Sequence, residues 1–509
     1  MIPGLGTDLP ELRVARALWQ QNRFEESLRV FEEAARKYPQ NLVALVDGSR
    51  ALGARFEITR AEKMLEKLIQ LGSRNADILH LAGQSYRMIF RPEQAMECFE
   101  GVLRMTREIP DAYLELAILY ERRHRLEEAL RLIEDCLRGE PEYFEAQLFK
   151  ARLWRRMKED RGAENLFREL AGKDQAHPMV RAQAWAEIAQ IHDRREEFKE
   201  AMGAMHQCKG ILLQGEGALI DESRAVLEHL NALAESLTAG HFKRWAEAGQ
   251  SFVQERAAVL TSFPRSGTTL LEQVLDSHSE VVSSDEREAF ARDIFPAMWQ
   301  TPATPLPTAE ALDAIPSERL ATLRHRYFDY MAAALNEPIA GRMHLDKNPP
   351  LTLVLPGFLR LFPETRVIFA FRDPRDVVVS CFMQYLPLNP NSVCFLTIER
   401  TARRYANDMR VWRKLREIIT SPWLEVRYED TVANLEQEAR RTTAFLGLKW
   451  EEQVLLYRER LKDKAVGSPT YEAVTQPLYT RAVGRWKNYQ KFLDPYLSIL
   501  QPYVEAFGY

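Results

Sequence analysis

Residues Ala258–Glu286 read AVLTSFPRSGTTLLEQVLDSHSEVVSSDE: a strand, a loop and a helix in close succession. Val259 and Leu260 suit a buried strand that opens a parallel sheet. The chain then turns through Ser262-Phe263-Pro264-Arg265-Ser266-Gly267-Thr268-Thr269. Leu270, Leu271, Val274 and Leu275 follow at helical spacing, so a helix starts where the loop ends. Strand, tight loop and helix N-terminus together make an anion cradle. The N–H groups of the first helical turn point into the loop, and the helix dipole favours negative charge there. Arg265 adds a forked cation, and Ser266, Thr268 and Thr269 add hydroxyl donors. The loop lacks the first glycine and the lysine of G-x-x-x-x-G-K-[ST], so it is not a Walker A loop.

The octamer SFPRSGTT resembles the 5′-phosphosulfate-binding loop of sulfotransferases that use 3′-phosphoadenosine 5′-phosphosulfate (PAPS). Arg before Ser-Gly-Thr-Thr is most similar to the protein-tyrosine sulfotransferases. The resemblance implies a P-loop-like α/β domain with a central parallel sheet and PAPS as co-substrate. It also implies that Arg265, Ser266, Gly267, Thr268 and Thr269 bind the nucleotide. Three later segments extend it. His344-Leu345-Asp346-Lys347-Asn348-Pro349-Pro350 resembles the family's Lys-Asp/Asn-Pro element, which makes Lys347 the candidate for stabilising charge on the bridging oxygen of the leaving phosphate. Arg366-Val367-Ile368-Phe369-Ala370-Phe371 is the strongest strand pattern in the chain. It runs into RDPRDVVVS, whose Arg372 and Ser380 match the two positions that hold the 3′-phosphate. A guanidinium fork at a rigid strand end suits a phosphate dianion. Near the C-terminus, Tyr479–Asn488 resembles the segment that folds over the nucleotide, with Arg481 as a second 3′-phosphate ligand and Ser468–Tyr471 as further contacts. Trp423–Asp430 reads as a strand with an acidic stop, its Asp430 and Thr431 taken as structural helix caps.

Sulfuryl transfer gathers charge on the bridging oxygen, so positioning and cationic stabilisation by Arg265 and Lys347 matter most. The acceptor must also lose a proton. In the tyrosine enzymes a Glu just after the first helix takes it, and that position falls on Glu286, beside Asp285. The sequence departs from that pattern at Glu288, where an Arg is expected, and at Gln384–Tyr385, where a second phosphate-binding Arg is missing. Three readings therefore stand: transfer to tyrosine in a peptide or protein; transfer to a carbohydrate, lipid or small-molecule hydroxyl; and a partner-binding scaffold with an inactive transferase domain. Should Glu286 not be the base, His344 is the next candidate.

The N-terminal half carries a different signal. Ala15, Ser49, Gly83, Ala117 and Ala151 recur every 34 residues, and Ser27, Ala61, Ala95, Ala129 and Ala163 do the same, offset by 12. Ala189 and Ala201 keep that offset after a four-residue insertion. Bulky residues lie four places beyond the second series: Phe31, Leu65, Phe99, Ile133, Phe167 and Met205. A 34-residue helix–turn–helix period is that of the tetratricopeptide repeat, in which small residues let helices approach and bulky ones fill the next groove. The expected organisation is an all-α tetratricopeptide solenoid of about six repeats over 9–213, a capping helix and connector over 214–255, and the transferase domain over 256–509. Such arrays present concave faces that bind peptides, or they serve assembly such as a homodimer. Thr301–Glu318, with four prolines, reads as an exposed loop or lid.

A net charge of −4 over 509 residues gives no global field to recruit nucleic acid. No apolar run approaches the roughly 20 residues of a membrane span, and the N-terminus shows no signal peptide pattern. Cys98, Cys136, Cys208, Cys381 and Cys394 are odd in number and scattered. They suggest reduced thiols in a cytoplasmic protein with no metal site.

Overall fold

The computed structural model describes residues 8–299, 307–461 and 482–509. From Pro10 to Leu213 it is a succession of helix–turn–helix units, α1 (Pro10–Gln20) to α12 (Phe198–Leu213). The first helices of the first five units are α1, α3 (Leu42–Ala54), α5 (Ala76–Met88), α7 (Pro110–Arg122) and α9 (Phe144–Arg156). The small and bulky repeat positions are buried throughout, from Ala15 and Phe31 to Ala201 and Met205. At Gly83 the reason for a small residue is explicit: a Cβ there would stand 2.7 Å from the Phe99 ring. Each first helix ends on a left-handed residue, at Asn22, Phe56, Phe90, His124, Lys158 and Glu196. In the second unit the Phe56 amide donates to Gly53 (3.1 Å) and the Glu57 amide reaches back to Leu52 (3.0 Å), closing a Schellman turn.

Compact packing separates two units. One holds the described residues up to Lys158 together with Phe328–Pro338. There Tyr330 donates to Glu57 (2.9 Å) and Arg91 to the Ala333 carbonyl (2.8 Å). The other holds Glu159–Tyr327 with Ile339–Tyr509, so the last repeat helices pack with the α/β part. The domain limits expected from the sequence mark changes of pattern; the compact units mark where packing is dense.

The second unit is built on five strands: β1 (Ala257–Ser262), β2 (Val281–Ser283), β3 (Met343–Lys347), β4 (Arg366–Phe371) and β5 (Trp423–Arg427). Their order is β2-β3-β1-β4-β5 and every pairing is parallel. β1 is buried along its whole length, as its apolar run requires. The strand order reverses at β1, with β3 on one side and β4 on the other. The carboxyl ends at such a switch point are where open α/β sheets bind ligands. α13 (Gly217–Ser236) and α14 (Ala239–Gly249) precede the sheet. α15 (Thr268–Asp276) leaves the loop after β1 and packs Leu271 and Leu275 with strand residues Leu260, Leu345 and Ile368. All five cysteines are free and buried.

Two expectations need correction. Within Thr301–Glu318, residues 301–306 lie outside the described residues, but the remainder is no exposed loop. Ala309–Asp313 is a helix whose Leu312 is buried and whose Asp313 accepts from the Trp245 indole (2.7 Å). Asp430 and Thr431 are not caps either: a helix already starts at Tyr428, and Asn434 caps the next one by accepting from the Gln437 amide (3.2 Å).

Candidate active site

The loop Phe263–Gly267 joins β1 to α15 and takes its shape from two left-handed residues, Arg265 (φ 71°) and Gly267 (φ 93°). Gly267 holds the N-cap position of α15 and has no side chain to cap the helix, so the helix start stays open to an anion. A Cβ on Gly267 would stand 2.4 Å from the Tyr428 ring, so only glycine fits there. The residue sits against a wall that the sequence did not reveal as part of the site.

Arg372 follows β4 directly, and Ser380 lies on the helix Pro374–Phe382 that caps the same strand end. The two share the cradle with Arg265. Arg265 Nε donates to Ser380 Oγ (3.1 Å), and Arg372 Nη1 donates to the Arg265 carbonyl (3.3 Å). Arg372 Nη2 donates to the Ala482 carbonyl, and its guanidinium lies 5.0 Å from the centre of the Tyr428 ring. Its Nε is buried and has no hydrogen-bond partner among the described residues. Asp376 fixes the segment that follows Arg481: it accepts from the amides of Gly484 and Trp486, each at 2.7 Å. Burial pushes the Asp376 carboxyl up. Arg481 itself, with Ser468–Tyr471, lies outside the described residues.

On the other side of β1, Lys347 ends β3 level with Leu260. Its Nζ donates to Glu286 (2.6 Å), stands 3.0 Å from Glu272 and 3.8 Å from Asp285. Burial alone would lower the Lys347 pKa, but the three carboxylates outweigh it and the ammonium is held above its ordinary range. Burial raises Glu272 to about 7, more than Lys347 returns. Three acids share one base, so the most enclosed acid is the hardest to ionise. Asp285 (φ 45°) and Glu286 (φ 61°) are successive left-handed residues, and the Glu286 amide donates to the Lys347 carbonyl (3.0 Å). Strain of this kind collects at functional sites. His344, by contrast, is fully buried on β3, 3.0 Å from the Tyr327 hydroxyl, which donates to Asp346 (2.7 Å). Burial lowers its pKa to about 4, and it takes no part in lining the cavity.

One cavity of about 420 Å³ gathers these groups. Arg265, Gly267, Thr268, Thr269, Arg372, Ser380 and Glu286 line it; Ser266 and Lys347 are buried behind its wall. Arg485, from the segment expected to fold over the nucleotide, lines it too, as do Tyr428 and the buried pair Arg404–Asp408, which sequence reasoning missed. In the sequence Tyr428 reads as part of a structural stop, and nothing in the spacing of Arg404 or Asp408 marks them. Glu272 was also missed: it lies between Leu271 and Gln273 in a helix read for its apolar face.

Residues 258–452 match a family described as the sulfotransferase family. An uncharacterized protein of Aquifex aeolicus (strain VF5) is 28% identical over 260 residues, covering 50% of this chain and 33% of that protein. Protein-tyrosine sulfotransferase 2 of Gallus gallus is 27% identical over 240 residues, covering 44% of this chain and 61% of that protein. The chain thus spans less than two thirds of either relative. Among solved structures, that of the MamA protein covers 33% of this chain and 94% of its own, at 16% identity and a TM-score of 0.29.

Proposed function

We propose that this chain, whose residues 258–452 carry the sulfotransferase-family pattern, moves a sulfuryl group from PAPS to an acceptor hydroxyl, preferentially the phenol of tyrosine in a peptide or protein. The observation that carries this reading is the meeting of two phosphate-binding groups and a carboxylate around one cavity. The loop Arg265–Thr269 suits the 5′ end of the nucleotide, and Arg372 with Ser380 suits a 3′-phosphate. The Nε of Arg372, buried and without a hydrogen-bond partner among the described residues, supports an anion at that point, since such a donor otherwise costs about 1–3 kcal/mol. When bound, PAPS supplies the activated sulfuryl group. Glu286 takes the acceptor proton as the new sulfur–oxygen bond forms and the bond to the phosphate breaks. Arg265 at the cavity, and Lys347 from behind its wall, offset the charge left on the bridging oxygen. The name of the Gallus relative supports tyrosine as acceptor. The repeat array captures the polypeptide or another partner, and the chain works in the cytoplasm.

The test is transfer of label from [³⁵S]PAPS to pools of tyrosyl peptides, glycans and phenols. Labelled peptide is expected, and Glu286→Gln is expected to lower kcat by about 10²–10⁴ while nucleotide still binds. Label appearing only in glycans or phenols moves the acceptor class. A Glu286→Gln enzyme with near-normal kcat removes Glu286 as base.

A further inference from the structure

The carboxylates around Lys347 are not equivalent. Side-chain exposure is 0% for Lys347 and for Glu272, but 34% for Glu286. Glu272 is also held in place by its own contacts: its Oε1 accepts from Ser283 Oγ and from the Asp285 amide (3.1 Å). The neighbouring Asp276 takes the Ser283 amide (2.9 Å), so turn and helix are stitched together around Glu272. Glu286 sits on a strained turn at the cavity wall, and its carboxylate contact is with Lys347. A buried carboxylate stripped of its counter-ion has no water to replace it, whereas a part-exposed one is rehydrated.

We infer that Glu272 is the fixed partner of Lys347, a positioning residue that keeps the ammonium in place while Glu286 lets go and turns to the acceptor. The inference rests on the reading of Glu286 as base and of the cavity as a nucleotide site. It resolves a conflict in that reading, because a base locked at 2.6 Å to a lysine is not free to accept a proton. With Glu272 in place, Glu286 departs without leaving an unpaired cation in the interior. Without Glu272, Lys347 depends on Glu286 and holds it.

Thermal unfolding and calorimetry on the full chain at pH 8, where Glu272 is ionised, test this together. Lys347→Met strips Glu272 of its counter-ion, so the buried carboxyl must take up a proton to stay in the fold, and Tm is expected to fall by roughly 5 °C or more. Adding Glu272→Gln recovers most of that loss; adding Glu286→Gln recovers little. Should Lys347→Met alone not fold, the two double variants compared with each other give the same answer. Equal recovery by both, or greater recovery by Glu286→Gln, overturns the assignment. With adenosine 3′,5′-bisphosphate as probe, Glu286→Gln is expected to bind at least as tightly as wild type, because a competitor for Lys347 is gone. Glu272→Gln, with Lys347 tied to Glu286, is expected to bind about threefold or more weakly. Simple loss of one negative charge would tighten both, and a merely structural Glu272 would change Tm but not affinity; either pattern removes the positioning role. If the wild type does not bind the probe, the functional reading falls, while the unfolding cycle still decides which carboxylate is fixed.

Discussion

At Gly267 a single methyl group would disturb the loop between β1 and α15, since it would meet the Tyr428 ring at 2.4 Å on a left-handed backbone. Gly267→Ala is expected to fold yet bind adenosine 3′,5′-bisphosphate at least about tenfold more weakly in calorimetry, roughly 1.4 kcal/mol. Arg372→Ala removes a buried cation from the same wall and should weaken that ligand by about 2–4 kcal/mol; an unchanged Kd would move the 3′ site elsewhere. A pH effect follows from Glu272, which burial raises from 4.5 to about 7. Its protonated form is favoured in the fold, so its stabilising share is full below about 4.5 and is lost as pH rises through about 7. Lys347, Ser283 and the Asp285 amide touch it, and Glu286 meets it across Lys347; Asp276, on its own helix, is flanked by Arg460 at 3.7 Å. Glu272→Gln should therefore gain in Tm relative to wild type between pH 5 and 8. A constant difference across that range would show that Glu272 does not titrate there. The motif residues were legible because phosphate loops need particular residue types at particular spacings. Glu272 was not, because its significance comes from Lys347, which lies 75 positions away in sequence.

At the scale of elements, the repeat period was plain in the sequence, and the helices follow it closely. What the period did not reveal is how each first helix stops. Schellman turns favour glycine at the left-handed position, yet here Asn22, Phe56, Phe90, His124, Lys158 and Glu196 occupy it. Without glycine, the turns carry no compositional mark. Glu196 is exposed at φ 62°, so Glu196→Gly should stabilise by about 1 kcal/mol and raise Tm by a few degrees. Gly83 behaves oppositely: Gly83→Ala drives a methyl into Phe99 and should cost about 1–3 kcal/mol in denaturant unfolding. The strands were equally readable where apolar, as in β4. β3 is legible only through its family resemblance, because His344, Asp346 and Lys347 disguise a fully buried strand. Their partners, Tyr327 and the carboxylates, come from other elements.

At the scale of the molecule, sequence pattern and compact packing divide the chain differently. The repeat pattern runs to Leu213, but the last repeat is built into the second unit. Asp193 accepts from Arg485 (2.7 Å) and Tyr489, Lys209 donates to the Gln384 carbonyl (2.7 Å), and Gln183 donates to Tyr385 (3.1 Å). Lys209 is buried in this contact, and burial lowers it to about 8. Arg485 and Gln384 both line the cavity. A fragment starting at Glu159 should therefore keep nucleotide binding, whereas one starting at Gln214 should lose it; calorimetry on the two fragments distinguishes them. No helix among the described residues is long and apolar enough to cross a membrane. The grip of Asp193 also bears on how such a chain changes over generations. Upstream of Lys158 the second and third units hold a segment that does not line the cavity, with Glu57 accepting from Tyr330 and Arg91 donating to the Ala333 carbonyl, so a change in those units is felt away from the cavity. The terminal repeat is placed differently. It backs the cavity wall through Arg485 and Gln384, and a transplanted array has to bring its own Asp193 and Lys209 to hold them.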